Sequence, residues 1–237
     1  KVDEKSNEMT VIPQLLEALA IEGCIVTIDA LGCQTKIAEK IVERGADYVL
    51  ALKENQGNLY EDVVRLFADL QDSQYRAYTF DYTKTVNKGH GRIEIRECWT
   101  ISDPVVLQYL RGFSHWKNLA TVSCIRAERR IGEECTVENR FHIASCRGAK
   151  RLLKAVRAHW GIENQLHWVL DLAFDEDRCR VRKDHGPENF AILRHIAVNL
   201  LKQENTSKRS IKGKRLLAAW KQDYLLKVLQ GLQQMAN

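Results

Sequence analysis

The chain has 237 residues, and 45% of them are hydrophobic, which is enough for a packed core and too many for a disordered chain. This length allows one large domain or two small ones. No apolar run approaches the roughly 18 residues of a membrane-spanning helix, and no basic-then-apolar segment opens the chain. Neither a membrane protein nor a secreted protein is indicated, and a cytoplasmic location is expected.

The seven cysteines do not indicate a disulfide scaffold or a zinc ribbon. Their number is odd, no Cys-x-x-Cys pair occurs, and several cysteines lie inside apolar runs. Buried free thiols in a reducing compartment are therefore expected.

The net charge of +5 is distributed unevenly along the chain. Residues 147–237 carry 18 Lys and Arg against 9 Asp and Glu, whereas residues 1–146 carry 18 against 22. The densest basic stretch is SKRSIKGKR at residues 207–215. A basic C-terminal third favours contact with a polyanion such as nucleic acid, although a solvated linker between helices has the same composition.

The first 72 residues alternate between helical and strand patterns. A helix is predicted from Thr10 and Pro13 to Gly23, and further helices at 34–44 and 57–70. The β-branched run at 24–28 predicts a buried strand that ends at Asp29, and the run at 47–52 predicts a second strand that ends at Lys53. This order predicts a parallel sheet covered by helices.

The middle of the chain has the pattern of β-hairpins. Strand-like segments at 78–87 and 92–99 flank the turn KGHGR, and segments at 119–130 and 135–145 flank residues 131–134. These strands form either an insertion or a continuation of the sheet. From Gly148 onward the pattern is helical, with helices predicted at 149–172, 189–202 and 211–231, the first of them interrupted by Gly161.

Asp29 is the first candidate for a metal ligand. In open α/β sheets, ligands bind beyond the carboxyl ends of the strands, where a carboxylate can hold a cation. An aspartate at this position is also common as a helix cap or a turn residue. The position alone leaves both interpretations open.

Three further polar side chains share one face of the predicted helix at 149–172. His159, Glu163 and His167 are spaced at i, i+4 and i+8, which fits a metal-ligand trio, a carboxylate ligand with two histidines that touch phosphate, or an ordinary polar stripe. Arg178 and Arg182 then follow an acidic run in a segment that lines a phosphate channel or forms a salt-bridged surface loop.

Five ordered motifs together resemble one family. They are DEKSNEMTVIPQLLEAL, VTIDALGCQTKIAEKI, DYVLALKENQGNL, KGHGRIEIRE and RAHWGIENQLHWVLDLAFDED, and they extend from about Asp3 to about Leu200. The sequence resembles the H-repeat-associated (Rhs-linked) insertion-sequence transposases of the DDE superfamily.

The resemblance implies an α/β fold with a ribonuclease-H-like core, an antiparallel β insertion and a helical C-terminal part. The core is expected at residues 1–72 and 147–202, the insertion at 73–146, and a basic C-terminal helix at 203–237. In this family three carboxylates hold two divalent metals. By match of motifs, Asp29 stands for the second aspartate and Glu163 for the glutamate.

Two departures from the family pattern matter. The first aspartate, in a segment like IDGKT upstream of the DEKSNE match, has no counterpart, and the chain begins with Lys1 rather than Met. A truncated record or a gene that has lost its beginning is therefore expected. In addition, Val156, His159 and Leu170 stand where related transposases carry the Tyr, Arg and Lys of a Tyr–Arg–Glu–Lys signature.

The implied function is metal-dependent cleavage and strand transfer at insertion-element ends, with Mg²⁺ or Mn²⁺ in a two-metal site that is complete only with the first aspartate restored. A catalytically inactive DNA-binding remnant and another metal-dependent nuclease on the same core are the alternatives. The expected partners are element-end DNA, target DNA and a second copy of the chain on that DNA, with no membrane. The residues expected to contact DNA are Lys53, Asn55, Gln56, Arg92, Arg157, His159, Asn164, His167, Arg178 and Arg182.

Overall fold

The computed structural model describes residues 8–89, 91–162 and 166–231. The described residues form two compact units that divide between His159 and Trp160. We call residues 8–159 the sheet unit and residues 160–231 the helical unit.

One sheet is the centre of the sheet unit, and its described strands follow the order β1-β2-β6-β5-β4-β3. The pair β1–β2 is parallel, and every other neighbouring pair is antiparallel. The strand bounds are β1 (Ile25–Ile28), β2 (Asp47–Leu52), β3 (Asp81–Gly89), β4 (Arg92–Ile101), β5 (Thr121–Ile131) and β6 (Glu134–Ala144).

One face of the sheet, the α3 face, packs against helices from the first half of the chain. These helices are α1 (Glu8–Ala18), α2 (Thr35–Glu43), α3 (Gly57–Asp72) and the single turn α4 (Pro104–Leu107). Ile41 of α2 and Val63 of α3 are fully buried beside Leu50 and Ile143 of the sheet. The helices predicted at 34–44 and 57–70 are α2 and α3, and the apolar spacing that predicted them corresponds to their buried sides.

The opposite face of the sheet, the α5 face, packs against α5 (Ala149–Ile162). Leu152 and Val156 lie on the buried side of this helix, against Ile125 and Ala144 of the sheet. The two faces alternate along each strand, as the pleat requires.

The start of α5 is fixed by one side chain and one backbone conformation. Asp81 at the start of β3 accepts a hydrogen bond at Oδ2 from the backbone N–H of Ala149, at 2.8 Å. Gly148, directly before the helix, has φ +100, a left-handed conformation that glycine adopts without strain. The chain thus passes from β6 into α5 within four residues, 145–148.

The helical unit has its own small core. Its helices are α6 (Trp168–Phe174), α7 (Gly186–Gln203), α8 (Ile211–Trp220) and α9 (Gln222–Leu229). Leu200, Leu201 and Val228 are buried, with Phe174 and Tyr224 packed against them.

A buried ionic network connects α7, α8 and α9. Glu204 accepts hydrogen bonds from the backbone N–H of Thr206 at 2.7 Å and from the Tyr224 hydroxyl at 2.6 Å. These hydrogen bonds hold the pKa of the Glu204 carboxyl at about 2, although its burial acts in the opposite direction as the largest single influence. The Lys214 ammonium lies 3.8 Å from the same carboxylate.

Comparison with the sequence predictions confirms the α/β class and the hairpins, and it settles how the hairpins relate to the sheet. β6 pairs with β2, so the four antiparallel strands continue the sheet of the parallel pair. The ribonuclease-H-like assignment and the domain boundaries stay predictions.

Three predicted helix bounds differ from the structure. α1 ends at Ala18, before Gly23, and contains Pro13 in its interior. The helix predicted over 149–172 corresponds to the described helices α5 and α6, and α6 continues to Phe174. The helix predicted over 211–231 is divided between α8 and α9 at Lys221, whose backbone is extended with φ −124 and ψ 108.

The cysteines agree with the chemistry expected from composition. All seven cysteines are free, and four are buried. Burial raises the pKa of the Cys33, Cys98 and Cys124 thiols to about 12, so these thiols are inert. Among the described residues, no helix combines the length and apolarity needed to cross a bilayer.

We expect Asp81→Ala to lower the free energy of unfolding by about 1 kcal/mol, because the first turn of α5 loses its side-chain acceptor. Urea unfolding followed by the β-sheet signal in circular dichroism measures this, since the described strands all lie in the sheet unit. Asp81→Asn keeps an oxygen acceptor and should retain most of the stability. Equal losses in both variants would contradict the capping role.

Candidate functional site

Asp29 lies directly after β1, at the carboxyl edge of the parallel pair. Its Oδ1 accepts hydrogen bonds from the backbone N–H groups of Leu31 at 3.1 Å and Gly32 at 3.3 Å. The carboxylate therefore shapes the turn after the strand, which is the structural alternative that its position suggested. The residue is also exposed, and an exposed carboxylate at this edge can bind a cation.

The turn after Asp29 is braced by residues that follow β2. The Asn55 side-chain amide donates to the carbonyl oxygen of Ala30 at 2.7 Å, and the Gln56 amide donates to that of Cys33 at 2.6 Å. These amides were predicted to contact DNA, and the structure gives them a local task as well. They hold residues 30–33 in place and so fix the surroundings of the Asp29 carboxylate.

Lys53 follows β2 directly and is exposed, as its place at the strand end predicts. Its charge contributes to the environment of Glu138 on the neighbouring strand β6. The pKa of the Glu138 carboxyl lies below its usual value, mainly because Arg140 donates hydrogen bonds to it, with a smaller contribution from Lys53. Lys53, at the end of β2, therefore lies near the ion pair of Glu138 and Arg140.

His159 is tied to the same end of the sheet through Thr27. The Thr27 hydroxyl and His159 Nδ1 lie 3.2 Å apart. Thr27 stands opposite Val49, so its side chain lies on the α5 face, and Asp29 follows two positions later, directly after β1. The structure thus brings His159 to the strand that ends at Asp29, and it adds Thr27, which the sequence analysis did not single out.

A buried polar row crosses the α5 face beside these residues. Thr100 pairs with Ser123, and Ser123 pairs with His142, so their side chains stand next to one another on three strands. All three residues are buried, and His142 is only 5% exposed. Thr100 Oγ1, Ser123 Oγ and His142 Nδ1 have no hydrogen-bond partner among the described residues. Such orphaned polar atoms are rare in a protein interior, and each needs an explanation.

The polar row lies next to β2. Ala51 of β2 stands opposite His142, and Thr27 of β1 stands opposite Val49. His142 is therefore on one neighbour of β2, and β1, the strand that Asp29 follows, is the other neighbour. The sequence signal for this residue was a histidine at the apolar end of a predicted strand.

The environment of His142 keeps its imidazole neutral. Burial is the main reason that its pKa falls to about 4, and the charges of Arg140 and His159 act in the same direction. The influence of His159 also means that the two imidazoles are close enough to interact. As a neutral imidazole, His142 can donate one hydrogen bond and accept another without adding a charge to the interior of the sheet unit.

Several predicted site residues belong to other parts of the chain. Glu163 and Asn164 lie outside the described residues, and the predicted approach of Asp29 and Glu163 stays a prediction. His167 is exposed and immediately precedes α6. Arg178 is exposed at the end of a 3₁₀ turn, and Arg182 donates to the backbone carbonyls of residues 179 and 181.

Arg92, another predicted DNA contact of the sheet unit, is engaged in an ion pair. Its guanidinium lies 3.2 Å from Glu94 on the same strand. Its neighbour His90, in the KGHGR turn, lies outside the described residues. Across the sheet, Arg126 is likewise paired, with Glu97 at 3.1 Å. The cations of these strands are largely matched by carboxylates.

The basic segment at 207–215 presents fewer cations to solvent than its composition suggests. Lys214 is buried and donates from Nζ to the carbonyl oxygens of Leu201, at 3.0 Å, and of Glu204. The Arg215 guanidinium lies 5.4 Å from the centre of the Phe174 ring. The segment contains five cations, and two of them, Lys214 and Arg215, make contacts inside the helical unit.

The described residues do not by themselves form a metal centre. No group of three or more His, Cys, Asp or Glu side chains in residues 8–89, 91–162 and 166–231 is arranged to hold a metal ion. Asp29 offers one carboxylate, and His142 and His159 offer nitrogen, whereas Mg²⁺ prefers oxygen ligands. A two-metal site therefore needs carboxylates beyond those described.

Comparison with known proteins identifies a family over most of the chain. Residues 1–200 match the family described as "Transposase DDE domain". Two proteins of Escherichia coli strain K12, the "H repeat-associated putative transposase YhhI" and the "Putative protein YbfL", are each 39% identical over 241 residues. The "Putative transposase YncI" of Escherichia coli O157:H7 is 36% identical over 233 residues.

The alignments cover nearly the whole of this chain but only part of the relatives. The two K12 alignments span 98% of this chain and 61% of each relative. The YncI alignment spans 97% of this chain and 58% of that protein. The chain therefore spans about three fifths of the length of these relatives.

We expect His142 to make the sheet unit less stable as the pH falls. The unfolded imidazole gains a proton near pH 6.5, whereas the folded imidazole resists protonation until about pH 4, so stability is full above pH 6.5 and is lost between these values. The loss from pH 7 to pH 5 should be about 2 kcal/mol. Urea unfolding at both pH values, followed by the sheet signal, measures it.

His142→Gln should reduce this pH dependence, because glutamine does not titrate. His115→Gln, at an exposed position in the same unit, is the matched control and should leave it unchanged. If His142→Gln unfolded with the same difference between pH 7 and pH 5 as the parent chain, the imidazole would not be buried in its neutral form.

Proposed function

Because the chain belongs to the transposase DDE domain family, we propose that it acts in DNA transposition, by cleavage and strand transfer at the ends of an insertion element. The observation that carries the proposal is the match to the family over residues 1–200. The position of Asp29 at the carboxyl edge of the parallel strands supports it, because this edge is where open α/β sheets bind ligands.

The proposed substrate is double-stranded DNA. The net charge of +5 and the excess of cations in residues 147–237 support a polyanionic partner. Target DNA and a second copy of the chain on the element ends are further proposed partners, as the family resemblance implies.

The proposed catalytic carboxylates are Asp29 and Glu163. The resemblance implies Mg²⁺ or Mn²⁺ held by these two side chains and by a third carboxylate, for which the sequence has no matching segment. The described residues fall short of such a site, so we assign no reaction step to a metal. What the chain itself contributes at Asp29 is a carboxylate whose turn is fixed by Asn55 and Gln56.

His159 and Lys53 are the proposed contacts with the DNA backbone at this edge. His159 stands where related transposases carry the arginine of their signature, and its link to Thr27 supports a fixed orientation of the ring. Lys53 supports the proposal as an exposed cation directly after β2. Contacts from these side chains would position DNA without reading its sequence.

A second candidate function is DNA binding without cleavage. The specific observation in its favour is that the 237 residues match two of the three carboxylates of the family pattern. A site that lacks one acidic ligand leaves two dications under-neutralised and should bind them poorly. The two functions share the DNA-binding step and differ in the cleavage step.

We expect the chain to bind duplex DNA with an affinity that falls steeply with salt. Each phosphate neutralised by a cation should steepen the slope of log K against log salt by about 0.9. Fluorescence anisotropy of a labelled duplex, measured over a series of salt concentrations, gives this slope. Binding that is absent at low salt, or that does not change with salt, would contradict the proposed substrate.

We expect the 237-residue chain to bind a labelled element end but not to nick it, with either Mg²⁺ or Mn²⁺. The physical reason is the incomplete set of acidic ligands. Addition of an upstream strand that ends in Asp should restore nicking, measured by denaturing gel electrophoresis.

Asp29→Ala or Glu163→Ala should then abolish the restored nicking while DNA binding persists. Robust nicking by the 237-residue chain, lost in Glu163→Ala, would mean that another residue of this chain supplies the third ligand. In that case the second candidate function would be wrong.

A further inference from the structure

Helix α5 carries a stripe of cations beside its buried face. Lys150, Lys154 and Arg157 are exposed and follow one another at i, i+4 and i+7, a spacing that places side chains on one side of a helix. We call these three residues the α5 stripe. The buried side of the same helix faces the sheet through Leu152 and Val156.

No carboxylate among residues 8–89, 91–162 and 166–231 forms an ion pair with the α5 stripe. Neither Lys150 nor Lys154 forms an ion pair with any residue in the described part of the chain. Arg157 donates to Asn87 Oδ1 at 3.1 Å, and this neutral amide leaves the cation's charge in place. Arg151, outside the stripe, differs because it lies 2.9 Å from the Asp47 carboxylate.

The stripe makes α5 less stable than it could be. The segment 147–162 contains five Lys or Arg and no Asp or Glu. Like charges at i, i+3 and i, i+4 each cost about 0.2–0.5 kcal/mol. The first turn of α5 also carries cations and no acidic residue, where the helix dipole favours anions by about 0.3–1 kcal/mol. An anionic partner would remove both costs.

The helix also connects this charge to the candidate site. α5 runs from its N-terminal contact with Asp81 to His159, whose ring reaches the Thr27 hydroxyl two positions before Asp29. All of these residues belong to the sheet unit, so the relation between stripe and site lies within one compact unit.

We propose that Lys150, Lys154 and Arg157 bind the phosphate backbone of the DNA and lead it along α5 toward the His159 end of the helix, which contacts Thr27 on the strand that Asp29 follows. This inference rests on the proposed function and names the surface that holds the substrate. Lysine and arginine on an exposed helix bind phosphates as sequence-independent contacts, which give affinity and orientation.

The test is the triple variant Lys150→Gln, Lys154→Gln and Arg157→Gln in the 237-residue chain. Loss of three phosphate contacts should reduce the log–log salt slope of duplex DNA binding by up to about 2.7, since each contact contributes about 0.9. Affinity at low salt should fall at least tenfold. Fluorescence anisotropy with a labelled duplex, as for the parent chain, provides both quantities.

A matched control removes three exposed cations from another part of the same unit. Arg65 lies on α3, and Arg76 follows the end of this helix. Lys117 also lies on the α3 side of the sheet, because its carbonyl oxygen accepts a hydrogen bond from the Tyr48 hydroxyl. The variant Arg65→Gln, Arg76→Gln and Lys117→Gln has the same net charge as the stripe variant. It should keep most of the affinity and of the salt slope.

The melting temperature of the stripe variant shows whether the three substitutions weaken DNA binding directly or by destabilising the fold. Because the stripe residues repel one another, the stripe variant should be as stable as the parent chain or more stable. A lower melting temperature together with weaker DNA binding would indicate that the three side chains serve the fold, and it would overturn the proposal.

The outcomes for the two proposals are distinguishable. If the parent chain binds no duplex DNA at low salt, the proposed function fails along with this inference. If the parent chain binds and the two triple variants lose affinity equally, the DNA responds only to net charge and the stripe assignment is wrong. Loss confined to the stripe variant supports it.

Discussion

The pairing of β2 with β6 is the interaction on which the sheet unit depends. It joins the parallel pair β1–β2 to the four antiparallel strands, with Ala51 opposite His142. Ser145 secures its end, because the hydroxyl donates to Asp47 Oδ1 at 2.8 Å and accepts from the backbone N–H of Tyr48 at 2.9 Å. Both hydrophobic cores contain residues of β2 and β6, so separation of these strands would expose both faces of the sheet.

The same pairing determines where the candidate site lies. β6 carries His142 beside the end of β2. The chain then turns through Gly148 into α5, which packs against the sheet. Near the end of this helix, His159 contacts the Thr27 hydroxyl of β1. The antiparallel strands are therefore more than an addition to the parallel pair. They supply the buried imidazole and the connection that brings α5 to Thr27, on the strand that Asp29 follows.

The sequence predicted the elements better than it predicted their arrangement. Strand periodicity located β2 at residues 47–52 and placed both hairpins within a few residues, because apolar spacing and turn residues are local signals. It could not predict that β6 pairs with β2, since this contact joins residues about 90 positions apart. The sequence also could not predict the directions in which individual side chains point. Lys214 counted as a surface cation and is buried, and the amides of Asn55 and Gln56 turn toward the loop after Asp29.

Charge matching within the structure explains more about DNA recognition than the net charge does. Along the antiparallel strands, arginines lie beside glutamates two positions away on the same face, as in Arg140 with Glu138 and Arg96 with Glu94, so these cations are neutralised where they stand. Helix α5 follows directly after these strands and has no acidic residue to match its own cations. The α5 stripe is thus a row of cations without a carboxylate partner among the described residues, although residues 1–146 together are slightly acidic. A small net charge therefore does not weaken the case for a polyanionic partner, because an oriented patch attracts DNA where an even distribution of the same charges would not.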